Sequence, residues 1–326
     1  MEQRTLGRTS LTVTRLGLGL AALGRPGYVN VGHAEDLRGA TGIDALQRRT
    51  HAVLDAARAA GIGYLDVARS YGRAEAFLAS WLVARGIGPG APTIGTKWGY
   101  TYTAGWRLDA ETHEVKDHSL ATLRRQWAET RELLDGRVDL LQVHSATLDS
   151  GILEDIAVGD ALAGLRAGGE VRALGLTLSG AGQAATLRRA MGLERDGHPL
   201  FDVVQATWNA LEPSLAPLLA EAHAAGMGII VKEALANGRL VRGREARVVA
   251  AEAERLGSTP DALALAHALA QPWADVVLSG AASVEQLASN VAAVELRLDA
   301  EAQTALAGVA RPVDAYWRER ASLTWT

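Results

Sequence analysis

The chain has 326 residues, 48% of them apolar, and a formal net charge of −4. This size allows a large hydrophobic core in one or two domains, and the near balance of charge without a basic patch argues against nucleic-acid binding. The N-terminus has no apolar signal core and no apolar run is long enough for a membrane helix, so we expect a cytoplasmic protein with no membrane contact.

Residues 4–14 predict a β-hairpin, with two short strands on either side of the turn at residues 7–10. After the hairpin, short apolar segments that suit β-strands recur along the chain. Eight such segments are present, at residues 15–20, 64–67, 93–96, 139–143, 172–177, 202–206, 228–232 and 275–279.

Helical patterns lie between these strands. The clearest places Leu120, Leu123 and Trp127 on one face and charged residues on the other. Thr259 before Pro260 marks a helix start as an N-cap, and Ser283 with Gln286 has the spacing of a capping box. Further helices are predicted at residues 45–60, 73–85, 160–167, 184–191, 215–225 and 283–294.

Eight alternating strand and helix units predict a single (β/α)8 barrel over residues 1–326, with the hairpin in front of it. A doubly wound sheet is disfavoured because no strand is followed by Gly-x-Gly-x-x-Gly, and no linker or low-complexity segment suggests a second domain. The long connections at residues 21–44 and 98–117 follow the first and third strands. We expect both to rim the end of the barrel at which catalysis takes place.

Four side chains suited to proton transfer lie at or after successive strand ends: Asp66, Tyr71, Lys97 and His144. A phenol titrates near 10 in water, so Tyr71 needs a nearby cation to exchange a proton near neutrality. Lys97 held by Asp66 would favour the phenolate, and His144 could orient a carbonyl or the phenol. Taken singly, such residues are often only caps or packing groups.

The set Asp-x-Ala-x-x-Tyr-Gly at residue 66, the strand-end Thr-Lys and the strand-end Val-His resemble the aldo-keto reductase superfamily. The resemblance extends from the hairpin to the last barrel helix. It implies that Tyr71 is the general acid, that Lys97 and Asp66 tune it, and that His144 positions the substrate.

The resemblance also implies a nicotinamide cofactor across the barrel mouth. Its carboxamide would be bound after the fifth strand by Thr177 and Ser179, and on the sixth strand by Gln205. Leu178 occupies the place of the family's asparagine. At the end of the seventh strand, Lys232 stands where the family has an aromatic ring stacked on the nicotinamide.

The segment after the eighth strand resembles the family's phosphate-binding segment, which leads into a helix whose free amides favour phosphate. The basic residues that many members use for the 2′-phosphate are absent, and Arg239 in the preceding loop is a candidate substitute. The resemblance favours NADP(H), the family's default cofactor, and the missing basic residues keep NAD(H) as the alternative. The candidate residues of this segment are Ser279, Gly280, Ala281, Ser283, Gln286 and Asn290.

Aromatic residues in or beside the catalytic-end loops suggest a pocket for a sugar or a flat ring. The candidates are Tyr28, Trp98, Trp106 and Trp208, and Tyr100 and Tyr102 lie in the same loops. Near the end of the chain, Trp317 and Trp325 either close over this pocket or pack on the barrel wall, and the sequence favours neither alternative.

These observations predict an NAD(P)-dependent oxidoreductase that reduces an aldehyde or ketone, a small-molecule partner. Oxidation of a sugar or cyclic alcohol is the second choice. A cofactor-binding regulatory subunit and a barrel of unrelated chemistry, such as an isomerase or hydrolase, are the rivals. No metal site is expected, because the eight histidines are isolated from suitably spaced ligands. The sequence does not indicate an oligomeric state.

Overall fold

The computed structural model describes residues 1–326. Eight parallel strands form a closed barrel in the order β3-β4-β5-β8-β9-β12-β13-β14, with helices between them, and this confirms the predicted (β/α)8 architecture. Each barrel strand lies within three residues of its predicted ends. The strands are β1 (Gln3–Thr5), β2 (Thr12–Thr14), β3 (Leu16–Gly19), β4 (Tyr64–Asp66), β5 (Thr93–Trp98), β6 (Tyr100–Tyr102), β7 (Glu114–Lys116), β8 (Leu140–Ala146), β9 (Ala173–Leu178), β10 (Glu194–Arg195), β11 (His198–Pro199), β12 (Val203–Thr207), β13 (Gly228–Lys232) and β14 (Val276–Ser279).

Thirteen α-helices surround the barrel, and none combines the length and apolar character that a membrane crossing needs. The predicted N-caps are present: the Thr259 and Ser283 side chains accept hydrogen bonds from the Ala262 and Gln286 backbone N–H groups. The helices are α1 (His33–Leu37), α2 (Ile43–Ala59), α3 (Ala74–Ala84), α4 (Leu120–Leu133), α5 (Ile156–Ala167), α6 (Gln183–Met191), α7 (Ala216–Ala224), α8 (Arg239–Arg242), α9 (Ala246–Arg255), α10 (Pro260–Leu269), α11 (Val284–Val291), α12 (Ala300–Ala307) and α13 (Val313–Ala321).

The β1–β2 hairpin closes the amino-terminal end of the barrel. Its Leu6, Leu11 and Val13 are buried in one cluster with the residues that begin several barrel strands, such as Tyr64. Gly7 has φ +51°, and a Cβ there would collide with the backbone of the β13 strand, so the close approach of the hairpin requires glycine. With this end filled, only the carboxyl ends of the strands remain open to a ligand.

Side chains alternate between the interior of the barrel and the layer under the helices. On β4, for example, Tyr64 belongs to the interior cluster and Leu65 to the 58-residue cluster between sheet and helices. The long connection after β5 contains an antiparallel hairpin, β6–β7, that the sequence did not predict. This hairpin stands at the mouth of the barrel.

Candidate active site

An ion pair between Asp66 and Lys97 lies at the centre of the barrel mouth. Lys97 Nζ donates to Asp66 Oδ1 and to the Val67 carbonyl oxygen (3.0 Å), and both charged side chains are at most 2% exposed. The second carboxylate oxygen accepts from Gln205 Nε2 (2.8 Å) and from the Tyr64 hydroxyl (3.2 Å). A buried pair with this many partners holds the ammonium in one position.

Tyr71 lies directly against this pair. Its ring centroid is 4.8 Å from Lys97 Nζ and 5.3 Å from the guanidinium carbon of Arg25. Burial raises the pKa of the Tyr71 phenol well above its usual value, Asp66 raises it further, and Arg25 opposes the shift. The lowering of the phenol pKa expected from the sequence is therefore outweighed, because burial and Asp66 raise the pKa by more than Arg25 lowers it. Tyr71 holds its proton at neutral pH.

His144 stands on the other side of the phenol. Its ring packs edge-on against the Tyr71 ring, with the centroids 5.5 Å apart, and Nδ1 lies 3.4 Å from Ser70 Oγ. Burial and the cations Lys97 and Lys232 lower the pKa of the imidazole well below its usual value. A neutral imidazole has one donor and one acceptor nitrogen, so His144 can orient an oxygen by hydrogen bonding without carrying charge.

These residues face a cavity of about 340 Å³ at the carboxyl ends of the strands. Six of the predicted cofactor residues line it together with Asp66, Tyr71 and His144: Thr177, Ser179, Gln205, Lys232, Ser279 and Gly280. Neighbouring strands supply them, since Gln205 on β12 pairs in register with Thr177 on β9 and Thr207 with Lys232 on β13. The barrel thereby brings hydroxyl, amide and ammonium groups to one wall of the cavity.

The other predicted phosphate-segment residues surround the start of α11. The Ser283 hydroxyl caps the helix, and Gln286 Oε1 accepts from the Ala282 backbone N–H (2.8 Å). The side-chain amide of Asn290 lies 2.8 Å from Ser279 Oγ, and the Ala281 N–H donates to the same hydroxyl (3.3 Å). These contacts fix the shape of the segment that leads from the cavity to the helix.

Arg239 is placed away from that segment. Its guanidinium lies 4.3 Å from the Tyr316 ring centroid, contacts Glu319 Oε2 at 3.4 Å and is buried under α13. Those contacts occupy the side chain predicted to bind a 2′-phosphate. Arg49 is the cation that the structure brings to the segment, since it donates to the Ala282 carbonyl oxygen (3.3 Å).

Of the predicted pocket aromatics, Tyr28 and Tyr100 line the cavity. Trp98 and Trp208 are buried in the layer under the helices, where Trp208 stacks on His267 at 5.1 Å. Trp106 packs on Phe77 (6.4 Å between ring centroids) and donates to the Thr41 carbonyl oxygen. These three tryptophans therefore stabilise the barrel and its long loop.

The chain end forms part of the cavity wall. Trp325 stacks on His113 with ring centroids 4.2 Å apart, lies 4.6 Å from Arg25 and packs edge-on against Tyr28. The sequence left open whether Trp317 and Trp325 close over the pocket or pack on the barrel wall. Trp325 covers the cavity, whereas Trp317 is buried beside Tyr316 in a separate cluster.

Several charged residues of the cavity were missed from the sequence. Arg25 pairs with Glu114 (2.6 Å), and Arg320 of α13 pairs with Glu233 (2.8 Å). Burial opposes the ionisation of Glu233, but Lys232 and Arg320 outweigh it and lower the pKa of Glu233 to about 2. No local motif marks these residues, because each pair joins segments that are distant along the chain.

Comparison with known proteins finds relatives over most of the chain. The family model of the Aldo/keto reductase family matches residues 15–311. The pyridoxal 4-dehydrogenase of Microbacterium luteolum is 32% identical over 164 residues, which are 44% of this chain and 43% of that protein. The aldo-keto reductase str7 of Strobilurus tenacellus is 26% identical over 330 residues, covering 92% of this chain and 89% of that protein.

Solved structures share the fold. An aldo-keto reductase of Bacillus halodurans in its holo form superposes with a TM-score of 0.72 at 22% identity, over 95% of this chain and 97% of that one. A protein of Pseudomonas aeruginosa described as an aldo-keto reductase gives a TM-score of 0.66 at 27% identity, over 90% and 95% of the two chains. The chain belongs to the aldo/keto reductase family of NAD(P)-dependent oxidoreductases.

Proposed function

We propose that the protein reduces an aldehyde or ketone, with NADP(H) as the favoured cofactor and Tyr71 as the general acid. One observation carries the proposal: the Tyr71 phenol is buried, protonated at neutral pH and faces a cavity that also holds the neutral His144. Such a phenol is a proton donor held where a carbonyl oxygen would bind.

Each catalytic residue has a separate role in the reduction of the carbonyl group. The bound cofactor supplies a hydride to the carbonyl carbon. Tyr71 donates its proton to the carbonyl oxygen as negative charge develops there, and His144, whose Nδ1 faces Ser70, uses Nε2 to hold the same oxygen. Lys97, 4.8 Å from the phenol ring and fixed by Asp66, stabilises the phenolate that remains.

The donor set of the cavity fits a nicotinamide cofactor. Gln205 gives its amide N–H to Asp66 and keeps Oε1 as an acceptor, and Thr177 and Ser179 bring hydroxyl groups to the same wall. Ser279 and Gly280 lead from there to the capped start of α11, where a helix favours phosphate. An amide head group and a phosphate are the two features that such a set would recognise.

A second candidate function is oxidation of a cyclic alcohol or sugar. Tyr28 and Trp325 form an aromatic wall around Arg25, which suits a flat polar ring. The Microbacterium luteolum relative is named as a dehydrogenase. Initial rates with matched alcohol and aldehyde pairs, in both directions, separate the two candidates.

The Tyr71→Phe variant tests the proposal. We expect turnover to fall roughly 10²- to 10⁴-fold, the usual contribution of a positioned general acid, while the Kd for NADPH stays unchanged. The Tyr102→Phe variant is the matched control, because Tyr102 bonds only to the Trp106 backbone outside the cavity. Turnover near wild type in Tyr71→Phe refutes the assignment. Cofactor binding without turnover in the wild type, over a broad aldehyde panel, indicates the regulatory rival instead.

A further inference from the structure

Lys232 is the one cation of the cavity that has no carboxylate to itself, since Glu233, 3.8 Å away, also pairs with Arg320 at 2.8 Å. Three pairs account for the other charges: Arg25 with Glu114 (2.6 Å), Arg320 with Glu233 (2.8 Å), and Lys97 with Asp66. The cavity and its floor therefore hold four cations against three carboxylates. The excess positive charge is that of Lys232.

The contacts of Lys232 leave most of its hydrogen-bonding capacity free. Nζ donates to Thr207 Oγ1 at 2.7 Å and is 3.8 Å from Glu233 Oε1, too far for a hydrogen bond. An ammonium has three N–H groups, so two remain for the cavity. Burial lowers the pKa of Lys232, while the ionised Glu233 opposes loss of its proton.

The same cavity must hold the reactive ring of the cofactor. Hydride transfer requires the donor carbon to contact the carbonyl carbon, and the carbonyl oxygen must lie within hydrogen-bonding reach of the Tyr71 hydroxyl. Tyr71 and Lys232 line one cavity of about 340 Å³. The Lys232 charge also acts on His144, whose ring packs against Tyr71, so a ring that meets both requirements lies in the field of the Lys232 ammonium.

We propose that Lys232 makes the site discriminate between the redox states of the cofactor, binding the reduced form more tightly than the oxidised form. A nicotinamide ring is neutral when reduced and carries one positive charge when oxidised, so the excess positive charge at Lys232 repels only the oxidised ring. The inference rests on the proposed function and adds that the site favours the reaction in the direction of reduction. In reduction, the oxidised cofactor is the product, and repulsion by Lys232 speeds its release.

The Lys232→Met variant removes the charge and retains most of the volume. At an effective dielectric constant of about 20, removing a unit charge roughly 8 Å from the ring should change the ratio of Kd values, oxidised over reduced, by about tenfold or more. A tenfold change corresponds to about 30 mV in the midpoint potential of the bound two-electron couple. Lys232→Arg keeps the charge and is the matched control.

The experiment measures Kd for NADPH and NADP+, and for NADH and NAD+, by quenching of tryptophan fluorescence with calorimetry as a check. The expected result is a ratio that falls about tenfold in Lys232→Met and is retained in Lys232→Arg. Lys232→Gln, which can still bond to Thr207, serves in place of Lys232→Met if circular dichroism shows that the methionine variant is unfolded.

Two results overturn the inference. A ratio that is the same in wild type and in the folded neutral variant refutes it and leaves the proposed function intact, since both forms still bind. A change confined to the KM of anionic substrates refutes it as well, because Lys232 would then serve the substrate. Failure of the wild type to bind either form removes the proposed function together with the inference.

Discussion

Replacing Asp66 with asparagine removes the charge that compensates Lys97 inside the barrel. Both side chains are at most 2% exposed, so Lys97 cannot reach water, and the new amide would turn either its oxygen or its N–H₂ toward the ammonium. Breaking a buried pair by neutralising one partner costs about 3–5 kcal/mol, because an uncompensated charge stays in the interior. We expect Asp66→Asn to lose about that much of the free energy of unfolding.

Urea unfolding followed by circular dichroism and tryptophan fluorescence measures this loss. The matched control is Asp109→Asn, whose partner Arg107 is 66% exposed, and such a surface pair should contribute less than about 1 kcal/mol. Combining Asp66→Asn with Lys97→Met should recover most of the stability, since no buried charge then remains. If Asp66→Asn costs no more than the surface control, the pair does not organise the barrel mouth.

Three further predictions concern the cavity. Glu233, with its pKa lowered to about 2, contributes stability that is present above its usual pKa of 4.5 and is lost as the pH falls toward 2. Wild type should therefore lose about 3 kcal/mol more than Glu233→Gln in that window, and equal acid sensitivity contradicts the stabilisation of the Glu233 carboxylate by Lys232 and Arg320. Removing the Trp325 ring that stacks on His113 should raise kcat/KM for bulky over small aldehydes roughly tenfold, and an unchanged ratio places the ring outside the substrate space. Because the pKa of the Tyr71 phenol is raised, the oxidation rate should increase about tenfold per pH unit above neutrality while the reduction rate stays flat, and an early plateau in oxidation argues against this shift.

The barrel was predictable because its signal is local and repeated. Each parallel strand is a short apolar run, and the strand at residues 228–232 was located without error. The arrangement of Asp66, Lys97 and His144 follows from the barrel itself, since parallel strands bring their carboxyl ends together. The β6–β7 hairpin was missed because its strands are three residues long and lie in a polar loop.

Trp98 and Trp208 were assigned to the pocket because they lie beside strand ends, but position along the chain does not tell which way a side chain faces. Lys97 faces the interior of the barrel, so Trp98, the next residue, faces the helices. Gln205 and Thr207 likewise face inward, which turns Trp208 outward. Strand alternation applied to the known inward residues predicts both results, whereas proximity to a strand end does not.

The pKa of Tyr71 depended on burial, which no short sequence pattern reports. The sequence predicted that Lys97, held by Asp66, would let the phenol lose its proton more easily, yet desolvation and the Asp66 charge raise the phenol pKa. A phenol that keeps its proton is ready to donate in reduction, whereas oxidation must first form a phenolate, at about 1.4 kcal/mol for each unit by which the pKa exceeds the ambient pH. The excess positive charge at Lys232, which shares Glu233 with Arg320, adds an independent bias, because it disfavours the oxidised ring with which oxidation begins. At neutral pH the phenol is thus in the protonated form with which reduction begins, and the charge of Lys232 disfavours the oxidised ring.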